Sequence, residues 1–178
     1  MVRLRQGPYK PVRAGDQETN MPKPIPEGYH TVTPYLAVKD AAKAIDFYTQ
    51  ALGATERFRF EHGGKIGHAE LQIGDSIVML SDEWPEGGHL SPESLGGTPT
   101  SLHIYVDDVD SAFTRAIGAG AKEERAVQDQ FYGDRSGTFL DPFGHRWNLA
   151  THVEDVSEEE LQRRMEQFSA AQKQSEPA

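Results

Sequence analysis

The chain repeats itself. TPYLAVKDAAKAI aligns with SLHIYVDDVDSAF so that Asp40 falls on Asp108, an offset of 68. LGATER aligns with AGAKEE at an offset of 67, and SIVML with HRWNL at 69. Order and spacing held over about fifty residues mark two copies of one structural unit. Any fold proposed for the chain must therefore contain that unit twice.

The content of each copy follows from periodicity. TVTPYLAVKD reads as a strand. In DAAKAIDFYTQALGA, the residues Ala41, Ala44, Ile45, Tyr48 and Leu52 fall at helical spacing, and Gly53 follows as a C-cap. RFRFE alternates, with Phe58 and Phe60 on one face. GHAELQIGDSIVMLSD reads as two strands joined by a tight Gly74-Asp75 turn. Asp40, Asp108 and Asp110 suit helix starts. The expected fold class is α+β: two pseudo-symmetric βαβββ modules forming a curled mixed sheet around a pocket, with the helices outside. Module boundaries fall at about 30–82 and 100–152 within a domain of 29–152. The Pro-, Gly- and Ser-rich stretch 83–99 reads as a linker.

The ends differ from this core. Residues 1–28 carry Pro8, Pro11, Pro22, Pro24 and Pro26 with few large apolar groups, and read as a disordered extension in which Met21 is a candidate natural start. In 153–178, Ser157 with Glu160 three residues on forms a capping box, predicting a short exposed helix and then a disordered tail.

Composition narrows the function classes. A net charge of −10 disfavours nucleic acid as a partner. The absence of cysteine excludes disulfides, thiolate metal sites and cysteine nucleophiles. No apolar run approaches the roughly 18–20 residues of a membrane span, and the N-terminal residues lack the hydrophobic run expected of a secretory signal. The expectation is a cytoplasmic protein with no membrane partner.

Hairpin geometry assigns side chains to faces. A two-residue Gly74-Asp75 loop pairs Leu71 with Val78 and Glu70 with Met79, so Ala69, Leu71, Ile73, Val78 and Leu80 face the helix. His68, Glu70, Gln72 and Met79 face the other way, as do Thr33 and Tyr35 on the first strand and Ser101, His103 and Tyr105 on its counterpart. A four-residue DPFG loop would pair Phe139 with Arg146 and Gly137 with Asn148. That register adds Arg135, Phe139, Arg146 and Asn148 to the polar face, with Tyr132 and Arg135 at its mouth. Trp147 and Leu149 go to the core. Faces carrying His, Glu, Tyr and Arg suit a mixed polar–aromatic ligand pocket, in which Tyr35 and Tyr105 could stack a flat ligand.

The paired modules, VKDAAKAIDFYTQALGA and DPFGHRW resemble the vicinal oxygen chelate superfamily, which includes glyoxalase I, extradiol dioxygenases and bleomycin-resistance proteins. HAELQIGDSIVMLSDE, LHIYVDDVD, QDQFYGDRSGT and DPFGHRW resemble its PhnB-like group. The resemblance implies a homodimer and, in metal-dependent members, one His or Glu from the first and last strand of each module. Those positions are Thr33, Met79, Ser101 and Asn148 here, none of which is a His or carboxylate. No cofactor is therefore expected. A displaced divalent-metal set of His68, Glu70 and His103 is the alternative. The leading expectation is a metal-independent small-molecule binder, with sequestration of a toxic or signalling compound one implied role. The competing one is a glyoxalase- or dioxygenase-like lyase or isomerase, using that metal set or metal-free acid–base chemistry by Glu70 and His68.

Overall fold

The computed structural model describes residues 22–175, with side chains through 170. The expectations for residues 1–21, including Met21, lie outside the described residues, as does the tail at 176–178. The chain divides into two compact units with the boundary between Gly97 and Thr98.

The first unit contains β1 (Tyr35–Val38), α1 (Ala41–Leu52), β2 (Thr55–His62), β3 (Lys65–Ile73) and β4 (Ser76–Asp82). The second contains β5 (Ser101–Tyr105), α3 (Val109–Gly118), β6 (Lys122–Asp129), β7 (Asp134–Leu140), β8 (Arg146–His152) and α4 (Glu158–Ser175). Each unit builds a four-stranded mixed sheet, in the orders β1-β4-β3-β2 and β5-β8-β7-β6. The outer pairs β1–β4 and β5–β8 are parallel, and the rest are antiparallel. This is the α+β, twice-repeated βαβββ arrangement that the offsets predict.

The helices start where the repeat places them. Asp40 caps α1 by accepting from the Lys43 amide, and Asp108 caps α3 by accepting from the Ser111 amide. Gly53 closes α1 in the left-handed region at φ 67°. Beneath α1 lie Val38, Ala69, Leu71 and Leu80, and Tyr48 of the helix is fully buried with them. Trp147, Leu149 and Phe139 form the equivalent floor under α3, where Phe113 meets Phe139 edge-on at 6.0 Å. Each such side chain contributes about 1.5–3 kcal/mol by leaving water, so the helix-side face of each sheet holds its unit together.

The first hairpin has the expected register, with Leu71 beside Val78 and Glu70 beside Met79. The second differs. Leu140 pairs with Arg146, and Phe139 with Trp147, because Asp141–His145 forms a five-residue turn. Asp141 accepts from the Phe143 and His145 amides at 2.9 Å each, and from the Trp147 indole nitrogen at 2.9 Å. A buried carboxylate with three donors holds the longer turn, and the extra residue shifts β7 by one position. Phe139 and Arg135, expected on the polar face, are thereby moved to the helix side.

Residues 83–99, expected as a linker, carry ordered structure: a 3-10 turn at Pro85–Gly87 and a short helix, α2 (Pro92–Leu95). Trp84 and His89 form a β-bridge across this loop. Fully buried Ser91 caps α2 and donates its hydroxyl to Glu83 at 2.7 Å. Residues 22–34 contain no helix or strand, and Tyr35 opens β1 immediately after Pro34. Among the described residues no helix is long and apolar enough to cross a membrane.

Candidate functional site

The first unit has a cavity of about 670 Å³ lined by Tyr35, Gly67, Ser81, Asp82, Trp84 and His89. That volume lies within the roughly 300–1,000 Å³ of small-molecule sites. Three of its six lining residues are aromatic. Tyr35 and His89 pack edge to face at 5.3 Å. Trp84 is 63% exposed, and one face of its ring lies on Gly87, where an added Cβ would collide with it. Asp82 contributes charge but no spare oxygen. Its Oδ1 accepts from the Ala41 amide and its Oδ2 from the Ile66 amide, with Lys65 3.7 Å away. The Nε2 of His89 is buried with no hydrogen-bond partner.

From the cavity wall a hydrogen-bonded chain runs across the sheet. The Tyr35 hydroxyl is 3.0 Å from His68 Nδ1, and His68 Nε2 is 3.3 Å from Glu70 Oε1. Alternation along β3 puts His68 and Glu70 on one face, with Phe60 and Phe58 beside them on β2. Glu70 also accepts from Tyr29; burial first, and then this bond, push the Tyr29 phenol up to about 12. Met79 lies level with both Tyr35 and Glu70. Gln72 is committed elsewhere, donating to the carbonyls of Gly74 and Ser76.

The second unit centres on Asp134, a nearly buried carboxylate. One oxygen accepts from the Tyr105 hydroxyl at 2.9 Å, and the other lies 2.8 Å from His152 Nδ1. His152 Nε2 is 3.0 Å from Asp155. With a carboxylate at each ring nitrogen, Asp134 first and Asp155 second, the His152 pKa is raised above its ordinary 6.5. A raised folded-state pKa stabilises in full below the unfolded value, and that contribution is lost as pH rises through the folded value. Wild-type protein should therefore be more stable than His152→Gln by a margin that is widest below about pH 6.5 and shrinks at higher pH. Urea titrations across that range check this; a gap that does not change with pH would refute it.

Of the remaining candidates in the second unit, Ser101, His103, Arg146 and Asn148 share the non-helix face of the sheet with Tyr105, whereas Arg135 and Phe139 do not. Arg135 binds Asp110 through Nε and Nη2 at 2.8 Å and Asp129 through Nη1 at 2.9 Å, bracing α3 rather than facing a ligand. Asp110 is thus an ion-pair partner, not a cap. Arg146 holds Glu124 through two bonds, and Asn148 Oδ1 accepts from Thr138 at 2.7 Å. Phe139 is fully buried. Tyr132 packs edge-on against Phe131 at 5.3 Å. His103 is exposed beside Tyr105 at 5.0 Å, and exposed Ser101 lies level with Arg146.

Strand register sets other residues of β1 and β5 level with Met79 and Asn148. The residue level with Met79 on β1 is Tyr35, and the residue level with Asn148 on β5 is His103. Thr33 precedes β1 and donates to the His30 carbonyl. A phenol, a thioether, an imidazole and an amide do not fit a hard divalent ion. Among the described residues, no group of three or more His, Asp or Glu side chains that could hold a metal ion is found.

Trp84, His89, Tyr29 and His152 were not reached from the sequence. For Trp84 the available signal was a large aromatic in a Gly- and Pro-rich run, EWPEGGH, with no periodic apolar neighbours to bury it.

A sequence model described as the Glyoxalase/Bleomycin resistance protein/Dioxygenase superfamily matches residues 29–149. An uncharacterized protein of Mycobacterium bovis is 46% identical over 138 residues, spanning 75% of this chain and 91% of its own length. Among solved structures, TioX from Micromonospora sp. ML1 matches with a TM-score of 0.57 and 29% identity, covering 70% of this chain and 99% of TioX. The fosfomycin resistance protein FosX of Listeria monocytogenes is alike in fold, with a TM-score of 0.55 and 20% identity over 75% of this chain and 96% of FosX.

Proposed function

This chain belongs to the Glyoxalase/Bleomycin resistance protein/Dioxygenase superfamily, and from that premise we propose that it binds a flat, conjugated small molecule in the cavity of its first unit. The observation that carries this reading is the exposed Trp84 indole, set on Gly87 and bridged to His89 in a loop that also borders Tyr35. Water leaves an indole readily when a second apolar face covers it, and a stacked ring adds about 0.5–1.5 kcal/mol beyond the buried area. Recognition rests on ring faces, since the Asp82 carboxylate is already engaged by two backbone amides and has Lys65 3.7 Å away. Binding without turnover would serve sequestration of a harmful or signalling compound. The competing function is catalysis on the same ligand.

The test is a panel of flat aromatic compounds titrated against tryptophan emission, with Trp84→Phe separating the cavity indole from buried Trp147. Trp84→Ala should weaken the best ligand by roughly tenfold, about 1.4 kcal/mol, while leaving the urea midpoint near that of wild type because the side chain is exposed. Unchanged affinity in Trp84→Ala would sink the reading.

A further inference from the structure

The hydrogen-bonded chain behind Tyr35 has a direction. A carboxylate only accepts hydrogen bonds, so with Glu70 as partner the proton of a neutral His68 ring sits on Nε2. Nδ1 is then the acceptor, and the Tyr35 hydroxyl 3.0 Å away donates to it; this tautomer is assigned from the hydrogen-bond network. With its hydrogen committed to His68, the Tyr35 oxygen keeps its lone pairs, and Tyr35 is one of the residues that line the cavity. His68 and Glu70 are only 27% and 17% exposed, so the two groups behind the phenol are partly shielded from water.

An acidic O–H backed by an imidazole, itself oriented by a carboxylate, has the logic of hydrolytic triads with the nucleophile replaced by a phenol. We propose that Tyr35 is a general base, positioned by His68 and Glu70, and that the cavity catalyses proton abstraction from a flat, conjugated C–H acid: an isomerisation or elimination. The ligand's C–H proton passes to Tyr35 Oη as the Tyr35 proton passes to His68 Nδ1, and the resulting imidazolium faces Glu70. The electron pair left on carbon either reprotonates at another atom or expels a leaving group. No oxidant, reductant or co-reactant is consumed. This proposal rests on the binding reading above.

The probe is 5-nitrobenzisoxazole, a flat bicyclic C–H acid whose ring opens when its C–H proton is removed: the electron pair forms the nitrile, the N–O bond breaks, and a coloured phenolate leaves. Full-length protein, wild type and Trp84→Phe, is mixed with it while phenolate absorbance and tryptophan emission are followed together, the difference between the two giving the Trp84 signal. Emission quenching and saturable elimination above buffer are expected. Tyr35→Phe, which keeps the ring, should lower kcat by about 100-fold with KM within about twofold of wild type. His68→Gly should lose activity that added imidazole restores, a rescue that a purely structural role would not allow and that Tyr35→Phe should not show. Quenching without elimination above buffer overturns the base assignment and leaves the binding reading standing. Absence of quenching overturns both. Undiminished kcat in Tyr35→Phe overturns the role of the phenol.

Discussion

Replacing Trp147 with alanine is expected to remove about 3–5 kcal/mol of stability. The side chain is fully buried on β8, level with Phe139 on β7 and Leu102 on β5. No neighbour in regular strands can move into the vacated volume without breaking register, so the cavity term adds to the lost transfer energy. The indole also donates to the buried Asp141 carboxylate that organises the Asp141–His145 turn. Against a total margin of about 5–15 kcal/mol, the variant should be partly unfolded or melt well below wild type. Trp147→Phe separates the two contributions. It restores most of the ring but withholds the donor, and should cost about 1–3 kcal/mol. Urea unfolding of both variants checks the order; a Trp147→Ala midpoint equal to that of Trp147→Phe would show that packing around the indole contributes little.

The second large effect is expected from Gly133→Ala. Gly133 has φ 101°, a conformation that disfavours any side chain, and an added Cβ would collide with the Glu154 carbonyl oxygen. That oxygen belongs to backbone, so relief requires moving the chain. The Gly133 carbonyl also accepts from the Val153 and Glu154 amides at 2.9 and 3.0 Å. Strain of about 1–3 kcal/mol should combine with partial loss of these bonds, each about 0.5–1.5 kcal/mol. Gly63→Ala is the control: its φ is also positive, at 60°, but its Cβ would meet open space. Hydrogen exchange should show lost protection at Val153 and Glu154 in Gly133→Ala and not in Gly63→Ala. Equal effects of the two substitutions would mean that the close approach to Glu154 carries no weight.

The positions of these two residues explain what could be read in advance. Trp147 was assigned to the core from alternation alone, since a strand beside a helix must bury one face whatever its partner strand does. Its neighbour across the ladder was misassigned. Phe139 and Arg135 changed faces because DPFG closes a five-residue turn instead of a four-residue one, and one residue of slip inverts a whole strand. The bonds from Asp141 to Phe143, His145 and Trp147 decide that length, and nothing in the local composition specifies them. At Gly74-Asp75 no such competition exists, so the hairpin register followed directly from the two-residue loop.

The site divides along the same line. Tyr35, His68 and Glu70 were assigned to one face because strand periodicity is local, two residues per repeat. Their connection into one chain of hydrogen bonds depends on β1 pairing with β4, which joins positions more than forty residues apart and so brings Tyr35 beside the β3–β4 hairpin. Trp84 and His89 come from a stretch whose Pro and Gly content reads as a linker. They become cavity walls only because the backbone bridge between them and the Ser91–Glu83 bond order that loop against the sheet.

The repeat, the two βαβββ units, the Asp40 and Asp108 caps and the buried faces of every strand but β7 were determined by the sequence itself, because each follows from spacing within one element or between two copies of it. The β7 register, the aromatic cavity, the Tyr35–His68–Glu70 chain and the Asp134–His152 pair were decided by tertiary structure alone. Each depends on which distant side chain offers a hydrogen-bond partner, and that is settled only when the strands have paired.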